Sequence, residues 1–332
     1  NLGKESFIVV RDAPGDAGIK AYYNTCPHRG NRLVHNDFGH VAGGCFQCDF
    51  HGWKYNLDGS NREIRDEIIF RPEVVRDRPG LTAVSCGVWN SLIFVNPDPK
   101  PRLTLLQHLD VMPEHLKNYD FSKLRVLRDL EFCWEANWKT AFDAFIEFYH
   151  ADDVHPEVLP FSGTLECQYD LYRRGLSRMI IPFGLVTSRY KDRETVNDAL
   201  KGFVAFYGGN PDEYAHIKGY EWRRALCDVK RKWGKRHGYE FFDKLTDGQI
   251  TDDWNYFVFP NITINQFADT MLIQIFRPHE SNPEKSYYRA ISMNLPVTGT
   301  REASRRRAIA CPMRPMPTKP TLRSRSEPTL SG

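Results

Sequence analysis

Nowhere in the 332 residues does an apolar run approach the roughly 18 positions that a membrane-crossing helix requires. Nor does the N-terminus carry a basic segment followed by a leucine-rich core, as a secretory leader would. A soluble, cytoplasmic protein without membrane contact is the expectation. Methionine is missing from the first position: the chain opens at Asn1, close to a strand-like run (Phe7, Ile8, Val9, Val10), which points to sequence missing upstream. A one-sided charge is lacking too. The formal +3 comes from 45 Lys and Arg against 42 Asp and Glu, but residues 301–332 hold eight of the former and two of the latter, leaving 37 against 40 elsewhere. No basic face suggests a nucleic-acid partner. Cysteine is sparse, at Cys26, Cys45, Cys48, Cys86, Cys133, Cys167, Cys227 and Cys311. Without a secretory context, close Cys and His spacing reads as metal binding more than as disulfides.

What is present is enough hydrophobic content, 41%, for two domains. From Phe7 to Val95, short β-branched and aromatic runs (Phe7–Val10, Lys20–Tyr23, Val88–Val95) alternate with Gly, Pro, Asp and Asn turns, as in a small antiparallel β domain. Asn96-Pro97-Asp98-Pro99-Lys100-Pro101 sustains neither a ladder nor a helix, and marks a linker. Beyond it, Asn137–Tyr149 spaces Trp138, Ala141, Phe142, Phe145, Phe148 and Tyr149 by threes and fours, predicting a buried helix. A second helix is predicted over Tyr220–Arg236, and strands over Tyr256–Phe259, Met271–Phe276 and Tyr287–Met293. The expected organisation is a β domain over 1–100, truncated at its start, a mixed α+β domain over 101–300, and a tail over 301–332. That tail has five Pro and no Phe, Tyr or Trp, so it reads as disordered, or as a stretch translated out of frame from near Arg301.

Two short motifs carry metal chemistry in the first domain. Cys26-Pro27-His28 is a Cys-x-His pair and Cys48-Asp49-Phe50-His51 a Cys-x-x-His pair, with nineteen residues between His28 and Cys48. A Rieske centre places two thiolates on one iron and two imidazoles on the other, which raises its potential over an all-cysteine cluster. A structural zinc would accept the same four residue types. Cys45 is another possible thiolate, but only Cys48 has a His at its third following position, so Cys45 is assigned to packing. The flanks separate iron from zinc. CPHRG at 26–30 and CDFHGWKYNLDG at 48–59 resemble the paired loops of the Rieske domain in ring-hydroxylating oxygenases. The resemblance implies that Cys26, His28, Cys48 and His51 hold a [2Fe-2S] cluster. The gap is longer than the family's, suggesting an insertion around Asp37–Gly44, with His35 and His40 expected to be solvated.

The segment Asn137–Pro156 holds the second constellation. Asp143, Glu147 and His150 fall at i, i+4 and i+7, so a helix would align them in one ionisable stripe. His155 lies about 140° further round such a helix, so it meets His150 at one ion only if the helix bends or ends near Asp152. Pro156 favours an ending there. The stretch resembles the family's mononuclear iron motif, an acidic residue three positions before His-x4-His, with Ala144 departing from the Asn often found beside Asp143. Carried over, His150 and His155 become Fe(II) ligands and Glu147 the acid linking the two metal centres. The family's third ligand, a carboxylate from a downstream helix, is not recognisable; Asp252, Asp253, Asp269, Glu280 and Glu284 qualify by type only, and Asp269, between strands, least.

The resemblance extends from Phe7 to Pro296 and includes FVFPNITINQF at 257–267. It implies an N-terminal Rieske antiparallel β domain followed by a helix-grip-like antiparallel sheet with helices. It further implies the catalytic α subunit of a terminal oxygenase, hydroxylating an aromatic or related small organic substrate with O2. Electrons would start from NAD(P)H and arrive through a ferredoxin or reductase. The family assembles as a trimer, with or without a small β subunit, placing His51 of one copy against Glu147 and His150 of the next. Other readings are a Rieske monooxygenase or oxidative demethylase, a non-catalytic Rieske electron carrier, and a zinc-binding module.

Overall fold

The computed structural model describes residues 4–297 and 307–309. In the N-terminal part, turn residues cut the chain into short strands. β1 (Phe7–Arg11) and β2 (Ile19–Tyr23) pair antiparallel, with the rings of Phe7 and Tyr23 5.1 Å apart. β3 (Cys45–Gln47), β4 (Lys54–Asn56) and β5 (Asn61–Glu63) form a separate meander. The run Val88–Val95, read as one strand, belongs to two, β6 (Ala83–Trp89) and β7 (Leu92–Asn96). The reason is the pair between them: Asn90 and Ser91 have φ of 48° and 66°, and a two-residue hairpin loop of this kind needs positive φ at both positions. The four longer strands are ordered β1-β2-β6-β7. Ile8, Val10, Tyr22, Phe46, Trp53, Tyr55, Ile64 and Leu81 fill the core of this part. A short helix, α1 (Pro72–Arg76), takes proline in its first turn, where no N–H is missed.

After the prolines, Thr104 and Gln107 form a reciprocal capping box that starts α2 (Leu105–Leu109), and α3 (Met112–His115) follows. The rest is built on one large sheet of β8 (Arg125–Trp134), β9 (Gln168–Leu171), β10 (Leu176–Ile181), β11 (Asp253–Val258), β12 (Ile262–Gln266), β13 (Thr270–Pro278), β14 (Ser286–Asn294) and β15 (Arg307–Ile309). Its order is β15-β8-β14-β13-β12-β11-β10-β9, antiparallel except where β15 meets β8. The three strands predicted in this region form, as β11, β13 and β14. Of the tail over 301–332, only Arg307–Ile309 lies within the described residues.

Side chains alternate across a strand, so the sheet has two chemically distinct faces. Tyr256, Ile264 and Ile273 stand opposite one another and pack in the larger core with Leu226, Val229 and Trp233 of α7 (Arg223–Arg236). The helix predicted from Tyr220 thus begins at Arg223, after a 3-10 turn at Gly219–Glu221. Buried Lys230 of α7 pairs at 2.9 Å with Asp269 in the β12–β13 turn, which also accepts the Tyr207 hydroxyl at 2.8 Å. A buried ammonium requires such a partner. α6 (Asp198–Phe206) and α8 (Asp247–Thr251) complete this side. On the other face, α4 (Trp138–Asp143) lays Phe142 against Phe257 and Phe276, ring centroids 4.4 and 5.3 Å apart.

Here the helix prediction fails. Asn137–Tyr149 is helical only over Trp138–Asp143, because tertiary partners take the backbone groups that would continue the ladder. The Asn255 side chain donates to the Phe145 carbonyl at 2.8 Å, and the Phe148 N–H donates to the Tyr169 hydroxyl at 3.0 Å. Asp143, Glu147 and His150 therefore do not form a helical stripe, and Tyr149, expected to be buried, is 86% exposed.

Candidate metal centres

The two Cys/His motifs fold into two loops of the same design. In the first, the Cys26 N–H donates to the Asn31 carbonyl at 2.8 Å and the Gly30 N–H to the Cys26 carbonyl at 2.9 Å. In the second, the Cys48 N–H donates to the Trp53 carbonyl and the Gly52 N–H to the Cys48 carbonyl, both at 2.9 Å. Each loop turns on a glycine with positive φ, 75° at Gly30 and 72° at Gly52, a conformation that costs other residues. The loops face each other. The rings of His28 and His51 lie 4.7 Å apart, and His28 stacks flat on Trp53 at 4.6 Å.

Cys26 and Cys48 are both buried and unbridged, close enough to perturb each other's thiols. Burial raises the Cys26 thiol despite the Tyr55 hydroxyl 3.1 Å from its sulfur. Burial would also raise Cys48, but the backbone N–H groups of Phe50 and His51, Cys26 and the Asn31 amide outweigh it and lower that thiol. Burial, with His51 and Arg29 nearby, lowers the His28 imidazole and favours its neutral, ligating form. The Nδ1 of His51 is buried without a partner, a cost that a bound metal would remove. Among the described residues, no three His, Cys, Asp or Glu side chains converge as a single-ion site. Two facing pairs suit a two-iron cluster, with two protein ligands to each iron, better than one zinc with four. Cys45 opens β3 opposite Asn56, and His35 and His40 are exposed.

The second constellation is assembled by the break after Asp143. His150 and His155 flank the one-turn helix α5 (Ala151–Val154), which ends before Pro156, as the spacing predicted. Their rings come to 5.4 Å. The Glu147 carboxylate holds Nδ1 of His150 through Oε1, while Oε2 accepts the Tyr149 and His150 N–H groups at 2.5 and 3.2 Å. Burial would raise the Glu147 carboxyl, but these donors hold it below the usual carboxylate range. Nδ1 of His155 meets Glu157 at 3.2 Å. With both Nδ1 atoms engaged, the two Nε2 atoms are the nitrogens left to ligate.

No third carboxylate joins them among the described residues. Asp252 is clamped by Arg223 and Asp269 by Lys230; Glu280 accepts the Tyr287 hydroxyl, and Glu284 lies exposed in the β13–β14 connection. Asp253 is buried on β11, accepting from Asn265 at 2.8 Å. A cavity of about 110 Å³, walled by Ile146, Tyr169, Leu171, Met179, Asn255 and Phe257, adjoins the segment that carries Glu147. Sequence reasoning missed Asn31 and Tyr55 at the cluster loops, although both sit inside or directly beside the quoted motifs. Tyr169 and Asn255, which break the helix, gave no local signal because their partners are 21 and 110 residues away.

Comparison with known proteins agrees with both halves. The glycine betaine monooxygenase oxygenase subunit of Chromohalobacter salexigens is 30% identical over 48% of this chain and 34% of its own length. The chain thus spans about a third of that relative. Among solved structures, the quaternary ammonium Rieske monooxygenase CntA superposes with a TM-score of 0.60 at 15% identity, covering 90% of this chain and 65% of that one. Naphthalene 1,2-dioxygenase from Rhodococcus sp. gives 0.57 at 20% identity, covering 88% and 62%. Residues 1–68 match the Rieske [2Fe-2S] domain, whose cluster the paired loops fit, and residues 118–310 match the ring hydroxylating alpha subunit catalytic domain, which implies a mononuclear iron. With that second match covering more than half of its length, the chain belongs to the ring-hydroxylating alpha-subunit family of Rieske oxygenases.

Proposed function

We propose that this chain is the terminal oxygenase of a multicomponent system, with a Rieske unit over 1–100 and a catalytic unit over 101–300. Cys26, His28, Cys48 and His51 hold the cluster, His150 and His155 hold Fe(II), and Glu147 is the acid that positions His150. The observation that carries this reading is the coexistence of two facing Cys/His loops with two carboxylate-tethered histidines. When bound, the metals supply single electrons and an open coordination face for O2.

The chain's own residues do the rest. Glu147 accepts the His150 Nδ1 proton and Glu157 that of His155, so both rings present Nε2. Next to Ile146, one residue before Glu147, Tyr169, Met179 and Phe257 wall a small and mainly apolar space that could take part of a substrate. For a monooxygenation, R–H, O2, two electrons and two protons give R–OH and water. The electrons come from NAD(P)H through a ferredoxin or reductase. In a trimer, His51 of one copy would reach Glu147 and His150 of the next.

Sequence relatives acting on glycine betaine favour monooxygenation of a small quaternary ammonium compound over the aromatic substrate expected from sequence. Ring dihydroxylation is the second reading, favoured by the fold shared with naphthalene dioxygenase. The test is metal and sulfide analysis followed by turnover with a reductase, NADH and labelled O2. Expected are about three irons per chain and, from glycine betaine, dimethylglycine with an equal amount of formaldehyde, as the hydroxylated N-methyl group breaks its C–N bond. Two labelled atoms from naphthalene would select the second reading. A colourless zinc protein, or a red one with about two irons that only passes electrons, would overturn the oxygenase assignment.

A further inference from the structure

We propose that Asn31 sets the reduction potential of the cluster by donating from its side-chain amide to the Cys48 sulfur. The inference rests on the cluster reading above and adds a residue to it. The Asn31 Nδ2 lies 3.7 Å from Cys48 Sγ, and the same nitrogen donates to the Arg32 carbonyl at 3.0 Å, which fixes the amide plane. Its own carbonyl accepts the Cys26 N–H at 2.8 Å. One residue therefore binds the first loop through its main chain and the second through its side chain.

The Cys48 sulfur already draws the N–H groups of Phe50 and His51, so the amide adds to a set of donors gathered on one thiolate. A thiolate whose lone pair is shared with an N–H gives less electron density to iron. The reduced cluster is then better tolerated and the potential rises, since hydrogen bonds to the sulfurs are among the terms that set it. Asn31 is half-buried, so water replaces this donor only in part. The competing role is simple fastening of the two loops, which would leave the potential unmoved.

Asn31→Leu keeps the bulk and the main-chain bond while removing the donor. Asn31→Asp keeps the shape and places a charge there instead. Full-length wild type and both variants, loaded with cluster, are to be titrated against ambient potential while their visible spectra are followed. In Asn31→Leu the reduced-to-oxidised ratio at a fixed potential should fall roughly tenfold, ~59 mV for one electron, and the sulfur-to-iron absorption should move to lower energy. Asn31→Asp should fall further. A wild-type potential in Asn31→Leu, or an Asp variant no lower than wild type, overturns the proposal. If the Leu protein fails to hold its cluster, the Asp variant decides alone. A wild-type chain that forms no cluster overturns this proposal and the function together, whereas a normal cluster with an unmoved potential overturns only this one.

Discussion

At the scale of single residues, the two neighbouring cysteines of the second loop region separate chemistry from packing. Cys48 is buried within the loop closed by Gly52 and Trp53, with N–H donors converging on its sulfur. Cys45, three positions earlier, is a strand residue facing its β4 partner. A hydroxyl is a poor substitute for a thiolate on iron, so Cys48→Ser should lose the red-brown colour and the acid-labile sulfide. Cys45→Ser should keep both. Sulfide and iron assays on the two purified variants check this, and an exchange of the two results would move the ligand to Cys45.

At the scale of elements, α5 shows how a motif acts through backbone geometry. Glu147 stands in the turn that leads into this one-turn helix, taking the Tyr149 and His150 N–H groups on one oxygen and the His150 ring on the other. Glu147→Gln keeps the size but replaces an acceptor-only group with one that also carries donors, so the ring loses a fixed orientation. Partners of metal-bound imidazoles change metal affinity or activity roughly 10 to 100-fold when removed. The variant should retain its cluster spectrum while single-turnover reoxidation of the cluster with substrate and O2 slows by about that factor. A wild-type rate would remove Glu147 from the mechanism. An end to helical structure before Pro156 was legible because proline is a local signal, but that a separate one-turn helix, α5, makes this ending was not. The longer helix over Asn137–Tyr149 was misread because periodicity cannot see Asn255 and Tyr169, which arrive from distant strands and capture the backbone. The cluster loops were legible for the opposite reason: each is closed within six residues. The split of Val88–Val95 was in principle readable from Asn90, a residue that tolerates positive φ.

At the scale of the whole molecule, the large sheet stores a pH dependence of its own. Burial, aided by the charge of Asp252, pushes the Asp253 carboxyl up to about 7 even though Asn265 donates to it. The folded protein thus binds more protons than the unfolded chain between about pH 4 and 7, and stability falls as pH rises through that window, by roughly 4 kcal/mol in all. Asp253→Asn should flatten this slope in denaturant titrations at pH 4.5 and 7.5, leaving a smaller part from Asp252, whose carboxyl burial also raises. An unchanged slope would place its source elsewhere. Gly30 and Gly52 carry a different kind of liability for the chain as something inherited. Their left-handed backbone costs an ordinary L residue about 1–2 kcal/mol. No single-base change in a glycine codon yields asparagine, the residue that best tolerates this conformation after glycine. Aspartate, which this chain holds at positive φ at Asp66 and Asp110, is the mildest replacement one base away. Most other one-step changes strain a loop, so two positions outside the four proposed ligands widen the genetic target.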